Sequence, residues 1–571
     1  MHEEQHAEVI VVGTGIGGLA AAKTYLELSP TTNLVMFEKR STLGGVWSEE
    51  NCYEGLKTNN LGGTYEFSDF PMGEKYGVTE DSHIPGYTLH GYLNDFADHF
   101  DLRRRIRFNT RALEVHKLDS GWKVWVENTN GTEQTRLIQY TCNKLIVSSG
   151  LSSTPNTIKI NGKEDFQRPI IDHTQLRSEG SRIAQDPTVK SVTVVGASKT
   201  GYDVVHLMAS NGKKVDWVIR ESGGGAVWMS SPWVPFAGSI TKLELLATMR
   251  FFTWFSPCIW GNFDGFSLIR KALHETRFGR WCVHKFWEGN RTGVIDANGY
   301  RKERCLRYLE PFESLFWSAR VGILNYPSDI HDYIRSGQVE ITKKDIDYLS
   351  GGGAVTFTDG TSIHTDALVA ITGWKLGSTM EYKPEGLDAR LGIPSRHRNE
   401  QEERLWEELD SAADDEILGR FPYLRNPPPR IPYKQDASPF RLYRGIAPPG
   451  LTSDSDYSLA YMKMVHSTSN VIIAETQALW VYAYLNGKLR IDTSDVYRQT
   501  ALMSRYGRHR YPCGFSSWYL EFVYDAIPYV DMLLSDLGVN RRRKSTLMKE
   551  MFEGYTIHDY RGITQEWARR S

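Results

Sequence analysis

Residues Glu8 to Trp47 read EVIVVGTGIGGLAAAKTYLELSPTTNLVMFEKRSTLGGVW, and this stretch decides the fold. Val9 to Val12 form an uncharged β-branched run that meets Gly13-Thr14-Gly15-Ile16-Gly17-Gly18 directly, the pattern of a buried strand entering a glycine turn. Small and apolar residues then recur at helical spacing from Leu19 to Leu28, and a second apolar run, Leu34 to Phe37, stops at Glu38. The order is strand, turn, helix, strand. In such a unit Gly13 permits the tight turn, Gly15 lets backbone amides approach a pyrophosphate, and Gly18 lets the helix pack close to the strand, with the helix N-terminus facing the phosphates. Glu38 stands 20 residues beyond Gly18, where a carboxylate can accept hydrogen bonds from a ribose 2′-hydroxyl and would repel a 2′-phosphate. Gly44, Gly45 and Trp47 lie just past it, where the loop must run beside the bound dinucleotide.

A second unit of the same kind begins at Ser191. Val192 to Val195 precede Gly196-Ala197-Ser198-Lys199-Thr200-Gly201, a helix follows to Met208, and Val215 to Ile219 run into Arg220. Ser198 replaces the middle glycine, and its small side chain still permits close approach to phosphate. Arg220 stands 19 residues past Gly201, a fork of donors where the first unit has an acid, which is the exchange expected for a 2′-phosphate. Lys199 is expected to add a second charge on that phosphate. A P-loop is not indicated, because Ser198 takes the place of the glycine that must precede its lysine.

Composition narrows the class. The chain has 571 residues, 40% hydrophobic and 24% charged, which suits two or three globular domains, and its formal net charge of -2 gives no field for nucleic acid. Its six cysteines form no C-x-x-C or close pair, so neither a disulfide framework nor a metal site is expected, and a reducing compartment is. The polar first eight residues leave no room for a secretion signal. Phe251 to Phe263 is apolar but only 13 residues long, short of the roughly 20 a membrane-spanning helix needs. A cytoplasmic protein that is not secreted is expected.

Further motifs follow: Tyr53-Glu54-Gly55-Leu56-Lys57-Thr58-Asn59, then Phe67-Ser68-Asp69-Phe70-Pro71, then Tyr92 to Ala97. With Glu38 and Gly44 to Trp47, their spacing resembles the class B flavin-containing monooxygenases, which carry FAD and use NADPH. The pattern of insert and C-terminal extension is similar to fungal secondary-metabolite members. The resemblance implies that Gly150, closing Ser148-Ser149-Gly150, and Thr372-Gly373 mark the two crossings between domains, and that the helix holding Gln477 completes the flavin site. It also makes Asn59 the catalytic residue, a polar group beside flavin C4a that protects the oxygen adduct. The family's F-x-G-x-x-x-H fingerprint is imperfect here: Phe166 to His173 lacks the glycine and places the histidine one residue late.

The expected architecture is α/β, with two Rossmann-like dinucleotide-binding domains, the NADPH domain being inserted in a discontinuous FAD domain. Residues 1-185 and 375-490 form the FAD domain, 186-374 the NADPH domain with a helical aromatic insert at about 235-325, and 491-571 an extension. The insert reads either as a helical subdomain packing on itself or as a substrate cover that could also dip into a membrane. Glu402 to Asp415 reads as a charged helix, and Asn426 to Pro432 as a proline-rich loop. The expected function is insertion of one oxygen atom from O2 into an apolar small molecule through a C4a-(hydro)peroxyflavin, by N- or S-oxidation, hydroxylation, epoxidation or ketone insertion. The alternatives are an FAD/NADPH-dependent reductase or oxidase and a non-catalytic flavoprotein.

Overall fold

The structure, a computed structural model, describes residues 4–130, 137–236, 238–397, 399–429 and 437–570. Strand β1 (Glu4–Val12) enters the glycine turn, helix α1 (Ile16–Leu28) crosses over, and β2 (Leu34–Phe37) returns parallel to β1, from Val9 opposite Leu34 to Val12 opposite Phe37. A parallel pair requires such a crossover, because a tight hairpin can only reverse the chain. On its other side β1 pairs in parallel with Leu137–Val147, which continues antiparallel into Trp122–Asn128 and Thr110–Lys117. Two strands from far along the chain, Glu381–Lys383 and Leu459–Tyr461, complete this sheet.

The second sheet is wholly parallel, in the order Val339–Lys343, β4 (Lys214–Ile219), β3 (Ser191–Val195), Ala367–Ala370, Ile170–Asp172, and α2 (Lys199–Ser210) joins β3 to β4. Val192 to Val195 and Ala367 to Ala370 are buried throughout, as strands covered on both faces must be. Ile170–Asp172 belongs to this sheet although the sequence reading placed everything before 186 in the first domain. Three residues are too short a run to announce themselves, and only their partner shows where they belong.

Helix α1 is apolar on nearly every side, and it is covered by α3 (Asn470–Leu485), which buries all but two of its residues. Tyr25 and Tyr482 meet edge to face at 5.0 Å between the two helices. One continuous core runs from there into the aromatic insert and the C-terminal extension.

The insert opens with a hairpin, Trp233–Phe236 against Ser239–Lys242, is then mostly helical, its longest helix being Arg277–Asn298, and ends near the strand Val321–Ile323. It does not pack on itself alone. Trp260 meets Tyr506 at 4.8 Å, Trp287 meets Tyr524 at 4.7 Å, and the Tyr506 hydroxyl donates to Pro257 O at 2.6 Å. Arg250, fully buried, donates to Glu550 Oε1 at 2.6 Å and to both oxygens of Asp531, with Tyr555 Oη at 3.1 Å. The insert and the extension are two halves of one packed body. Glu400–Arg420 is the charged helix, while Asn426 to Pro432 runs partly outside the described residues. Among the described residues no helix is long and apolar enough to cross a membrane.

Removing the guanidinium would leave two carboxylates buried without a counter-charge, a loss of about 3–5 kcal/mol. Arg250→Ala should therefore expose the 491-571 segment to limited proteolysis at urea concentrations that leave the parent protein intact. Identical digestion of both proteins would show that the ion pair does not hold the extension in place.

Candidate active site

The first glycine turn is shaped by contacts that admit no side chain. A Cβ on Gly13, whose φ is +100°, would lie 2.4 Å from the Ser148 carbonyl oxygen, and one on Gly18 would lie 1.9 Å from the Gly13 oxygen. Gly45 crosses in front: a Cβ on it would stand 3.0 Å from the Gly15 Cα. These approaches form a cleft of about 350 Å³ bordered by Gly15, Glu38, Gly45, Trp47, Gly150 and Lys463. Glu38 is buried, and its carboxylate accepts from the Thr14 amide at 3.1 Å, the Thr14 hydroxyl at 2.7 Å and the Arg40 amide at 3.0 Å. Those bonds fix the acid at the end of β2 and tie it to the turn. The Trp47 indole donates to Tyr65 Oη at 3.3 Å, holding the ring at the cleft wall.

The second turn repeats the geometry, with φ +111° at Gly196 and a Gly201 Cβ that would lie 2.3 Å from the Gly196 oxygen. Ser198 is the N-cap of α2. It borders a cleft of about 1780 Å³ together with Arg220, Thr372 and Gly373, so these expected residues do come together. Thr372 donates to Asn156 O at 2.8 Å, which anchors the crossing strand. His173 stands behind it, edge to face on Trp374 at 4.6 Å and outside both cleft linings, and burial lowers its pKa.

Three expected residues lie elsewhere. Lys199 turns away from the large cleft: its ammonium pairs with Asp203, one helical turn on, and donates to Asn325 Oδ1 at 2.9 Å and Tyr326 Oη at 3.2 Å. The i and i+4 positions share a helix face, and Asp203, also held by Tyr53 and Tyr326 at 2.8 Å each, draws the lysine to that side. Gln477 lines neither cleft; it is buried in α3, accepting from the Lys463 amide at 3.0 Å and donating to Tyr529 Oη at 2.8 Å. Asn59 is exposed on the strand Lys57–Leu61 and is absent from both linings, whereas the alternate residue Thr58 points inward and accepts from the Ile84 amide at 3.0 Å. Strand alternation puts neighbours on opposite faces, and no helix follows for Asn59 to cap. Sequence reasoning missed Lys463, which shares the first cleft. It lies in no glycine motif, and its one signal is a basic residue in an otherwise apolar run, Leu459 to Val465.

Cys52 and Cys142 are free thiols, and burial pushes Cys52 up to about 11 and Cys142 up to about 12.

Comparison with known proteins bears on the family and the fold. Residues 7–223 match the family model described as pyridine nucleotide-disulphide oxidoreductase. A FAD-dependent monooxygenase of Aspergillus nomiae is 33% identical over 98% of this chain and 98% of its own. One from Alternaria brassicicola is 33% identical over 98% and 94%. Among solved structures, the polycyclic ketone monooxygenase from the thermophilic fungus Thermothelomyces thermophila superposes with a TM-score of 0.60 at 13% identity, covering 94% of this chain and 88% of its own. An open form of cyclohexanone monooxygenase gives 0.56 at 17% identity over 94% and 98%.

Glu38→Ala removes a charged acceptor from the first cleft and frees the Thr14 amide. FAD affinity, read by quenching of flavin fluorescence, should fall by roughly 10 to 150 fold, about 1.5–3 kcal/mol. An unchanged dissociation constant would mean that Glu38 only braces the turn.

Proposed function

This chain belongs to the family of FAD-dependent monooxygenases, and we propose that it takes electrons from NADPH and uses O2 to oxygenate an apolar small molecule. The observation that carries the proposal is the opposite charge at matching places in the two clefts. Glu38 follows β2 in the first and Arg220 follows β4 in the second. A carboxylate suits the free ribose 2′-hydroxyl of FAD, and a guanidinium suits the 2′-phosphate that distinguishes NADPH from NADH. The first cleft fits FAD on its own geometry, since the close packing at Gly13, Gly18 and Gly45 admits no side chain and brings the N-terminus of α1 to the cleft.

Bound FAD would supply the two-electron and oxygen chemistry. The chain's own residues bind it, orient it and keep water from it. Leu376, Met380, Phe515 and Trp518 line the second cleft among charged neighbours such as Lys383, Glu385 and Arg396, and these apolar side chains support the reading of an apolar substrate. The insert is tied to the strand that borders the domain junction: the Glu244 carboxylate accepts from Asn60 Nδ2 at 2.7 Å, the Leu61 amide at 3.1 Å and the Thr64 hydroxyl at 2.9 Å. That tether supports the reading of the insert as a cover. Asn59 is left out of the proposal, since its side chain borders neither cleft. A disulfide reductase would need a thiolate, and burial raises both Cys52 and Cys142 in the opposite direction.

Arg220→Ala should raise the Michaelis constant for NADPH about tenfold or more while leaving NADH nearly unaffected, because only the 2′-phosphate contact is lost. Equal use of NADPH and NADH by the unmutated enzyme would rule the assignment out.

A further inference from the structure

Lys463 borders the first cleft, and nothing above uses its chemistry. Its backbone has φ +58°, a left-handed conformation that residues with a Cβ seldom hold unless their surroundings impose it. Here the surroundings do so, because its amide is fixed by Gln477 Oε1 at 3.0 Å, and Gln477 is fixed in turn by Tyr529, whose hydroxyl donates to Arg444 O at 2.7 Å. The lysine stem passes over the first turn of α1. A Cβ on Gly17 would lie 2.8 Å from Lys463 Cγ, so that glycine is what lets the stem through. The ammonium then donates to Asn470 Oδ1 at 2.9 Å, and Asn470 is the first residue of α3, a helix of 16 residues.

The electrostatics of this place are unbalanced. The positive ends of two long helices, α1 and α3, converge on it, and a lysine is added to them. Among the described residues no carboxylate forms an ion pair with Lys463, and burial alone pulls its pKa down to about 7. A cation drawn out of water toward two positive dipoles is unfavourable until an anion joins it.

We propose that Lys463 is a direct ligand of FAD, its ammonium paired with an anionic group of the bound cofactor. Two groups of FAD have that chemistry: the pyrophosphate, which would face the N-terminus of α1, and the N1–C2=O edge of the two-electron-reduced flavin ring, which would face the N-terminus of α3. The inference rests on the assignment of FAD to the first cleft, and it goes beyond that assignment by naming a residue outside the glycine turns that selects for the charge of the cofactor.

The test uses the full-length chain stripped of flavin and titrated with FAD, as wild type and as Lys463→Met, Lys463→Arg and Lys463→Gly. Methionine keeps the stem and removes the charge, while arginine keeps the charge. Glycine removes the charge at a backbone angle that glycine holds freely, so this variant should fold at least as well as the parent. Thermal unfolding of each flavin-free protein confirms that it folds. Both uncharged variants should bind FAD at least tenfold more weakly, and Lys463→Arg should stay within about threefold. The reduction potential of the bound flavin then separates the two groups. An unchanged potential assigns the lysine to the pyrophosphate, and a lower one, by about 30 mV for each tenfold preference for the reduced form, assigns it to the ring edge. Wild-type affinity and wild-type potential in both Lys463→Met and Lys463→Gly would overturn the proposal. Failure of the wild type itself to take up FAD would instead overturn the assignment of the cleft.

Discussion

The distance at which α1 is allowed to approach β1 governs the rest of the molecule. Gly18 rests on the Gly13 carbonyl and Gly13 rests on the Ser148 carbonyl, both closer than any side chain could permit. Because the helix starts so near the strand, its first amides open toward the carboxyl edge of the sheet, where Glu38, Gly45 and Gly150 already stand. A methyl group at either glycine would push the helix off the sheet and close the cleft from behind. The second unit has the same constraint at Gly196 and Gly201, and the same consequence, a helix N-terminus facing an open groove.

Those units are local, and so they are legible. The two glycine turns, the parallel strands beside them and the exchange of Glu38 for Arg220 follow from residues within about 30 positions of each other, where backbone geometry leaves few alternatives. The expected residues that lie elsewhere take their direction from partners along or across the chain. Lys199 sits in the right turn, but Asp203, Tyr53, Asn325 and Tyr326, from three separate parts of the chain, draw its ammonium to the opposite side. Gln477 holds the Lys463 amide and does not border the cleft. The left-handed backbone of Lys463 cannot be read from sequence, since a lysine gives no sign of a positive φ. Asn59 shows the narrowest margin, because on a strand one residue of register decides between a buried and an exposed face.

Nothing in the sequence of the aromatic insert or of the C-terminal extension announces the other. Their union depends on buried charge: Arg250 reaches Asp531 and Glu550 across some 300 positions of sequence, and Arg510 reaches the Phe316 carbonyl and Ser256 Oγ in the reverse direction. Aromatic packing crosses the same seam, as between Trp260 and Tyr506. From this packed body Glu244 grips the strand Lys57–Leu61.

The central claim is that two nucleotides occupy two clefts and exchange electrons between them. Anaerobic titration of the flavin-loaded protein with NADPH, followed by admission of oxygen, tests it most directly. The account predicts that about one equivalent of NADPH bleaches the visible flavin absorbance and that oxygen restores it. Flavin absorbance that stays unbleached under excess NADPH would contradict it.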